Sequence, residues 1–218
     1  MLELRQIRSS RISWLSVATE VPDSRECVAT FLVFGSAEVL SGVRPANLVH
    51  IFNRTFGCGR NMYDLWHKYG AALMQESRIE AMPLHNSPTS TLLLLYAPVL
   101  LQRRLHSRSA TTFLCTLGYS ITKEIDEILH QLRARFVGTD VPHEIGVFLG
   151  YPLKDVAAFM GHNELPVASQ RLWKIYGRSH RSEALADLYQ KHHTRIAKQL
   201  RAESGISFEL WRKEKCCA

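Results

Sequence analysis

Apolar residues along this chain recur with two different periods, and the places where the period changes mark its elements. Within the stretch 142–160, Ile145, Phe148 and Leu149 fall at i, i+3 and i+4, and Leu153, Val156, Ala157 and Met160 repeat at i, i+3, i+4 and i+7. Between the two runs stand Gly150 and Pro152. Glycine readily takes a left-handed cap, and Tyr151, preceding a proline, is pushed out of the α region. Pro142 suits a first helical turn, where its missing N–H would be unsatisfied anyway, and Glu144 puts negative charge at the positive end of the dipole. Gly161 stops the second run. The stretch 142–161 therefore reads as a helical hairpin with a tight corner.

The same reasoning predicts a short helix from Ser36 to Leu40 capped by Gly42, a strand over Asn47–Phe52 (NLVHIF), and a flexible loop over Asn53–Arg60, where Gly57 and Gly59 flank Cys58. Asn61 is an N-cap for a helix that places Leu65, Tyr69, Leu73 and Met74 on one face and runs through Ser77. Strands over Arg78–Leu84 and Thr91–Tyr96 form a hairpin, with turn chemistry at Asn86, Ser87 and Pro88. The second of these, TLLLLY, is apolar on both faces and belongs at the centre of a sheet covered by helices. Helices follow from Pro98 to Leu105, from a cap at Ser107 or Ser109 to Gly118, and from a cap at Thr122 through the stripe Ile125, Ile128, Leu129, Leu132 and Phe136. Gly138, Thr139 and Asp140 lead into the helical hairpin. After it come a loop over Asn163–Ser169, a strand over Leu172–Tyr176, and a long helix capped by Ser182 and ending near Arg201.

Toward the N-terminus, ISWLSVA and CVATFLVF carry the β-branched and aromatic residues of short strands, with a turn at Pro22, Asp23 and Ser24. The sum is an α+β fold: a small, mostly antiparallel sheet of about four strands packed with several helices. The expected organisation is an N-terminal extension over 1–33, one α+β domain over 34–203, and a basic C-terminal tail over 204–218.

Three blocks also carry a resemblance: LSGVRPANL at Leu40–Leu48, PHEIGVFLGYPLKDV from Pro142, and LWKIYG at Leu172–Gly177. In content and order they resemble the bacterial domain-of-unknown-function family numbered 3793, over roughly Phe34 to Arg195. The family is uncharacterised. The resemblance implies a bacterial protein and an accessory role in the metal or redox physiology of anaerobes, whose genes for such proteins lie near iron-uptake and flavodoxin genes. Family members often carry a His-Cys pair just before the first block, where this chain has Gly35 and Ser36. A thiol or metal role implied by that pair has no counterpart here.

Composition narrows the function classes without choosing one. With 46% hydrophobic and 22% charged residues the chain can bury a real core. Its five cysteines, at 27, 58, 115, 216 and 217, lack the spacing of a disulfide framework, and its start has no continuous apolar run for a signal peptide. Leu92–Tyr96 is far short of the roughly 20 residues a bilayer span needs. These features predict a cytoplasmic protein without a transmembrane segment. Lysine and arginine outnumber the acids by 27 to 20, a formal net charge of +7, which suits an acidic partner or nucleic acid as well as a solvated basic surface.

Candidate chemistry is sparse. His143 and Glu144 can both move protons or bind metal, but neighbours on a helix point about 100° apart, and the second histidine of a zinc-protease helix is missing. His162, His180, His192 and His193 lack metal-ligand spacing and read as solvent-facing. Cys216 and Cys217 lack a C-x-x-C partner. No phosphate loop, dinucleotide fingerprint or nucleophile elbow occurs, no cofactor is indicated, and an enzymatic role is the less favoured reading. A candidate pocket is expected where the hairpin meets the LWKIYG strand, drawing on Arg44, Asn47, His143, Glu144, Tyr151, Trp173, Lys174 and Tyr176. For anion binding the candidates are Arg178, Arg181, Lys191, Arg195 and Lys198. Lys191, Arg195 and Lys198 fall at i, i+4 and i+7 and make one helical face basic, while the aromatics of LWKIYGR offer stacking beside Lys174 and Arg178.

Overall fold

The computed structural model describes residues 14–18, 21–57, 59–136, 140–203 and 205–212. Gly138 and Thr139, together with Cys58, Cys216 and Cys217, lie outside the described residues.

At the N-terminal end the two expected strands are helices, α1 (Trp14–Ala18) and α2 (Ser24–Gly35). Asp23, expected in a turn, is the N-cap of α2, and its carboxylate accepts the Glu26 N–H at 2.7 Å. Cys27, Val28, Ala29, Leu32 and Val33 are all buried, so α2 is enclosed on most sides. In that setting packing overrides the strand propensity of its β-branched and aromatic residues. Next come α3 (Ala37–Leu40), β1 (Ala46–Phe52), α4 (Met62–Glu76), β2 (Glu80–Ser87) and β3 (Ser90–Tyr96). Asn61 caps α4 as expected, accepting the Tyr63 N–H at 3.0 Å.

The three strands form an antiparallel sheet in the order β1-β3-β2, with Leu93 opposite both Val49 and Pro83. Every residue of the central β3 is buried. Alternation divides its neighbours between two cores. Val49, Ile51, Leu93 and Leu95 face α2 and α4, while Ala46, Leu92, Leu94 and Tyr96 face α5 (Pro98–Leu105), α6 (Arg108–Thr116) and α7 (Ile125–Ala134). Two cap assignments shift. Glu124 caps α7, and the Thr122 hydroxyl donates to its carbonyl.

The helical hairpin is present as α8 (Ile145–Phe148) and α9 (Leu153–Phe159), the first a single turn. Gly150 at its corner has φ 79°, and a Cβ there would lie 2.6 Å from Pro45 Cδ. Only glycine fits that turn. A second antiparallel sheet follows, of β4 (Val167–Gln170) and β5 (Lys174–Tyr176), where β4 occupies part of the expected loop. The long helix is α10 (His180–Ala202). Ser179, not Ser182, stands at its N-cap, and Ser182 is buried within it. Last is α11 (Ile206–Trp211), whose fully buried Trp211 donates its indole N–H to Leu73 O at 2.7 Å. Residues of α2 and α11 share one core cluster.

The fold is thus α+β, with five strands among the described residues divided between two sheets. No described helix is long and apolar enough to cross a membrane.

Candidate functional site

The three sequence blocks converge where the α8–α9 corner meets β5 and α10. At the centre is Asp155 in α9, 1% exposed. Its Oδ2 accepts the Trp173 indole N–H at 2.9 Å and the Ser182 hydroxyl at 2.7 Å. Its Oδ1 accepts the Tyr176 backbone N–H at 3.0 Å and Lys154 Nζ at 2.6 Å. Lys154 also donates to Tyr176 O at 2.6 Å. Burial works against the charge of Asp155, but the hydrogen bonds from Lys154, Tyr176 N–H, Ser182 and Trp173 outweigh it and hold the carboxyl below its ordinary range. One carboxylate therefore ties α9, β5 and α10 together with both oxygens fully used.

Beside it lies Arg44, 4% exposed, whose Nε donates to Leu149 O at 3.1 Å and whose Nη2 donates to the Tyr151 hydroxyl at 3.2 Å. The guanidinium sits 5.3 Å from the Tyr151 ring and 5.2 Å from the Tyr189 ring, and Tyr151 stacks on Trp173 with centroids 4.5 Å apart. Arg104 of α5 reaches in from the other side, donating to Val147 O at 3.1 Å and to Tyr151 O at 2.6 Å. Burial lowers its affinity for the proton. The helical corner exposes carbonyls that an α-helix would otherwise have used internally, and two arginines take them up.

Behind Arg44, Glu38 of α3 is 4% exposed and lies 3.4 Å from His193 Nδ1. Burial pushes its pKa up, but the hydrogen bond with His193 and the charge of Arg44 prevail and leave it lowered. His193 packs edge-on against Phe34, so it is not solvent-facing as expected, and the Nδ1 of His192 is buried as well.

The remaining pocket candidates scatter. Asn47 donates to Gly35 O at 2.8 Å, toward α2. His143 packs against Phe159 with centroids 4.9 Å apart, and Lys174 Nζ lies 5.9 Å from the same ring. Glu144 turns the other way: it is 6% exposed and accepts the Tyr119 hydroxyl at 3.2 Å and Arg135 Nη1 at 3.2 Å. His143 and Glu144 accordingly serve separate neighbourhoods and form no acid–base pair. Among the described residues no three His, Cys, Asp or Glu side chains group to hold a metal ion. The structure thus gathers Arg44, Tyr151, Trp173 and Tyr176, and leaves Asn47, His143, Glu144 and Lys174 outside that centre. Sequence reasoning missed Asp155 and Arg104. An acid inside an otherwise apolar helical repeat was the available signal for Asp155.

The basic candidates lie elsewhere. The face of α10 that buries Ser182, Ala186, Tyr189, Ile196, Ala197 and Leu200 leaves Lys191, Arg195 and Lys198 exposed on its outer side. Arg195 donates to Ser41 Oγ at 3.3 Å. No acidic side chain among the described residues pairs with any of the three. Arg178 and Arg181 are exposed near the start of the helix, and Arg171 is paired with Asp187.

The chain belongs to the family described as "Protein of unknown function (DUF3793)", which matches residues 32–208. No curated protein and no solved structure gives a significant match.

Proposed function

We propose that this DUF3793 protein binds polyanions, nucleic acid foremost, and that its working surface is the outer face of α10. The observation that carries the reading is the exposure of Lys191, Arg195 and Lys198 along one side of a helix, with no acidic partner among the described residues. At 1.5 Å per residue these three charges span about 10 Å of helix. One strand of duplex DNA presents about three phosphates over that length. The net charge of +7 adds a long-range attraction for such a partner.

Arg178 and Arg181 extend the positive surface past the start of α10. A cytoplasmic setting belongs to this reading, since nucleic acid is met there. The polar centre around Asp155 has a different task in this reading. It holds α10 against the body of the protein, so that the basic face is presented on a rigid element.

The test is binding of labelled single-stranded and duplex oligonucleotides, followed by fluorescence anisotropy between about 50 and 200 mM salt. Three phosphate contacts give a slope of log K against log salt of about −2 to −3, at roughly −0.7 to −0.9 per contact. An affinity that does not change with salt, or no binding at the lowest salt, rejects the reading.

A further inference from the structure

Beyond its basic face, α10 ends at a cleft of about 210 Å³ that α1, α2 and α11 also line. That space equals several water molecules at about 30 Å³ each. Val17 of α1 and Ile206 of α11 supply apolar wall. Ser207 of α11 lines the cleft beside them and is 1% exposed. Its hydroxyl is buried and has no hydrogen-bond partner among the described residues. Buried polar atoms are nearly always bonded, so an unpaired hydroxyl on the wall of a cleft marks a place where something else binds.

The other polar groups around the cleft are oxygens, and most of the charge is negative. Glu26, in the first turn of α2, accepts the Gly205 N–H at 2.6 Å through Oε1. No basic side chain among the described residues pairs with Glu26 or with Glu203, the C-cap of α10. Thr30, one turn further along α2 and 2% exposed, lines the same space. A helix C-terminus leaves its last carbonyls without partners inside the helix and carries the negative end of the dipole. The 23-residue α10 brings that end to the cleft, while the opposing N-terminus belongs to the six-residue α11. Arg201 is the one basic residue on the wall among the described residues, and it is exposed. Two carboxylates, two hydroxyl side chains and a helix C-terminus against one exposed arginine select a positive ligand. With no histidine or cysteine among the described lining residues, the donor set suits a hard cation.

We propose that this cleft binds a hard divalent cation, calcium or magnesium, through Glu26, Ser207 and the end of α10, with part of the water shell of the ion retained. The cleft is roomier than a bare ion needs, and a partly hydrated one fills the rest. Magnesium in particular is held by one or two carboxylates and keeps several waters. Bound there, the cation ties the start of α2 to the end of α10 and the start of α11. The site stands apart from the polyanion reading: its residues are different ones, and its experiment contains no nucleic acid.

The experiment titrates the chelator-treated full chain with calcium chloride and with magnesium chloride at constant ionic strength, by calorimetry and by thermal unfolding. Saturable binding of one ion is expected, with Kd on the order of 10⁻⁴–10⁻³ M for a site of few carboxylates, and the melting temperature rises with cation concentration. Glu26→Gln, which keeps an acceptor for the Gly205 N–H, is expected to weaken binding about ten- to hundredfold, and Ser207→Ala about tenfold. Without cation, Ser207→Ala is expected to melt at or above wild type, because it removes an unpaired buried hydroxyl. No heat and no shift in melting with either cation at about 10 mM overturns the site. Unchanged affinity in both variants overturns it too and places the ion elsewhere. Stabilisation by inorganic phosphate that is lost in Ser207→Ala would make this an anion site and would likewise sink the proposal.

Discussion

On its inner side α10 delivers Ser182 and Tyr189 to a polar centre in which both oxygens of Asp155 are hydrogen-bonded within the chain, and on its outer side it carries Lys191, Arg195 and Lys198, which are left to solvent. Polar groups are numerous in both regions. In the first, Asp155 accepts four hydrogen bonds, and Arg44 and Arg104 donate to carbonyls of the α8–α9 corner. In the second, no acid among the described residues lies within ion-pair distance of the three basic side chains. The blocks that carry the family resemblance therefore meet in a fastening, and the charge available to a partner lies on the opposite side of the same helix. A buried group that is fully bonded within the chain has little left to offer a ligand, whereas an exposed, unpaired cation pays no desolvation cost until a partner arrives.

The sharpest way to break the comparison is to remove the fastening. Asp155→Ala leaves the Trp173 indole, the Tyr176 N–H and the Ser182 hydroxyl without their acceptor in a buried place, and is expected to cost about 3–5 kcal/mol in urea denaturation. Oligonucleotide affinity per folded molecule is expected to stay unchanged, and a loss of affinity at intact stability would make the centre a binding site. Gly150→Ala follows: a left-handed φ costs about 1–2 kcal/mol for a residue with a Cβ, and the contacts with Pro45 Cδ at 2.6 Å and the Tyr189 hydroxyl at 2.9 Å add roughly 1–3 kcal/mol of overpacking.

Acid sharpens the same contrast. The folded-state pKa values of Asp155 and Glu38 are both lowered, so each stabilises the fold fully above the ordinary carboxyl range of about 4 and loses that contribution as pH falls through the depressed folded values. A urea midpoint that falls below about pH 4, with a shallower fall in a Glu38→Gln variant, is the expected profile. A midpoint that rises on acidification would contradict the assigned directions.

Much of the architecture was legible in the sequence because local chemistry and packing agreed. The cap at Asn61, the TLLLLY strand and the Gly150 corner each carry their own signal in residues that touch, while the β2–β3 turn falls at 88–89, with Asn86 and Ser87, expected in it, closing the strand instead. The region of α2 misled because Val28, Val33 and Phe34 favour strands locally, while the Asp23 cap and enclosure on most sides decide for helix. Ser182 read as a cap because serine favours that place; its hydroxyl instead serves Asp155, which is 27 residues away in sequence. The candidate site was legible only in part for the same reason. That Arg44, Tyr151 and Trp173 would meet could be guessed from marked blocks, but their partners Asp155 and Arg104 are set by tertiary contact. The divergence of His143 and Glu144 matches the expectation but not its reason: the helix starts only at Ile145, both residues lie in the turn before it, and what each one touches is set by tertiary contact.

The most direct test is the salt dependence of oligonucleotide binding in a protein carrying Lys191→Ala, Arg195→Ala and Lys198→Ala together. All three side chains are exposed, so stability is expected to stay within about 0.5 kcal/mol of wild type. The account predicts that affinity at low salt drops steeply and that the slope of log K against log salt shrinks by about 2 to 3. An unchanged slope and affinity in the folded variant would contradict it and place any polyanion contact elsewhere on the molecule.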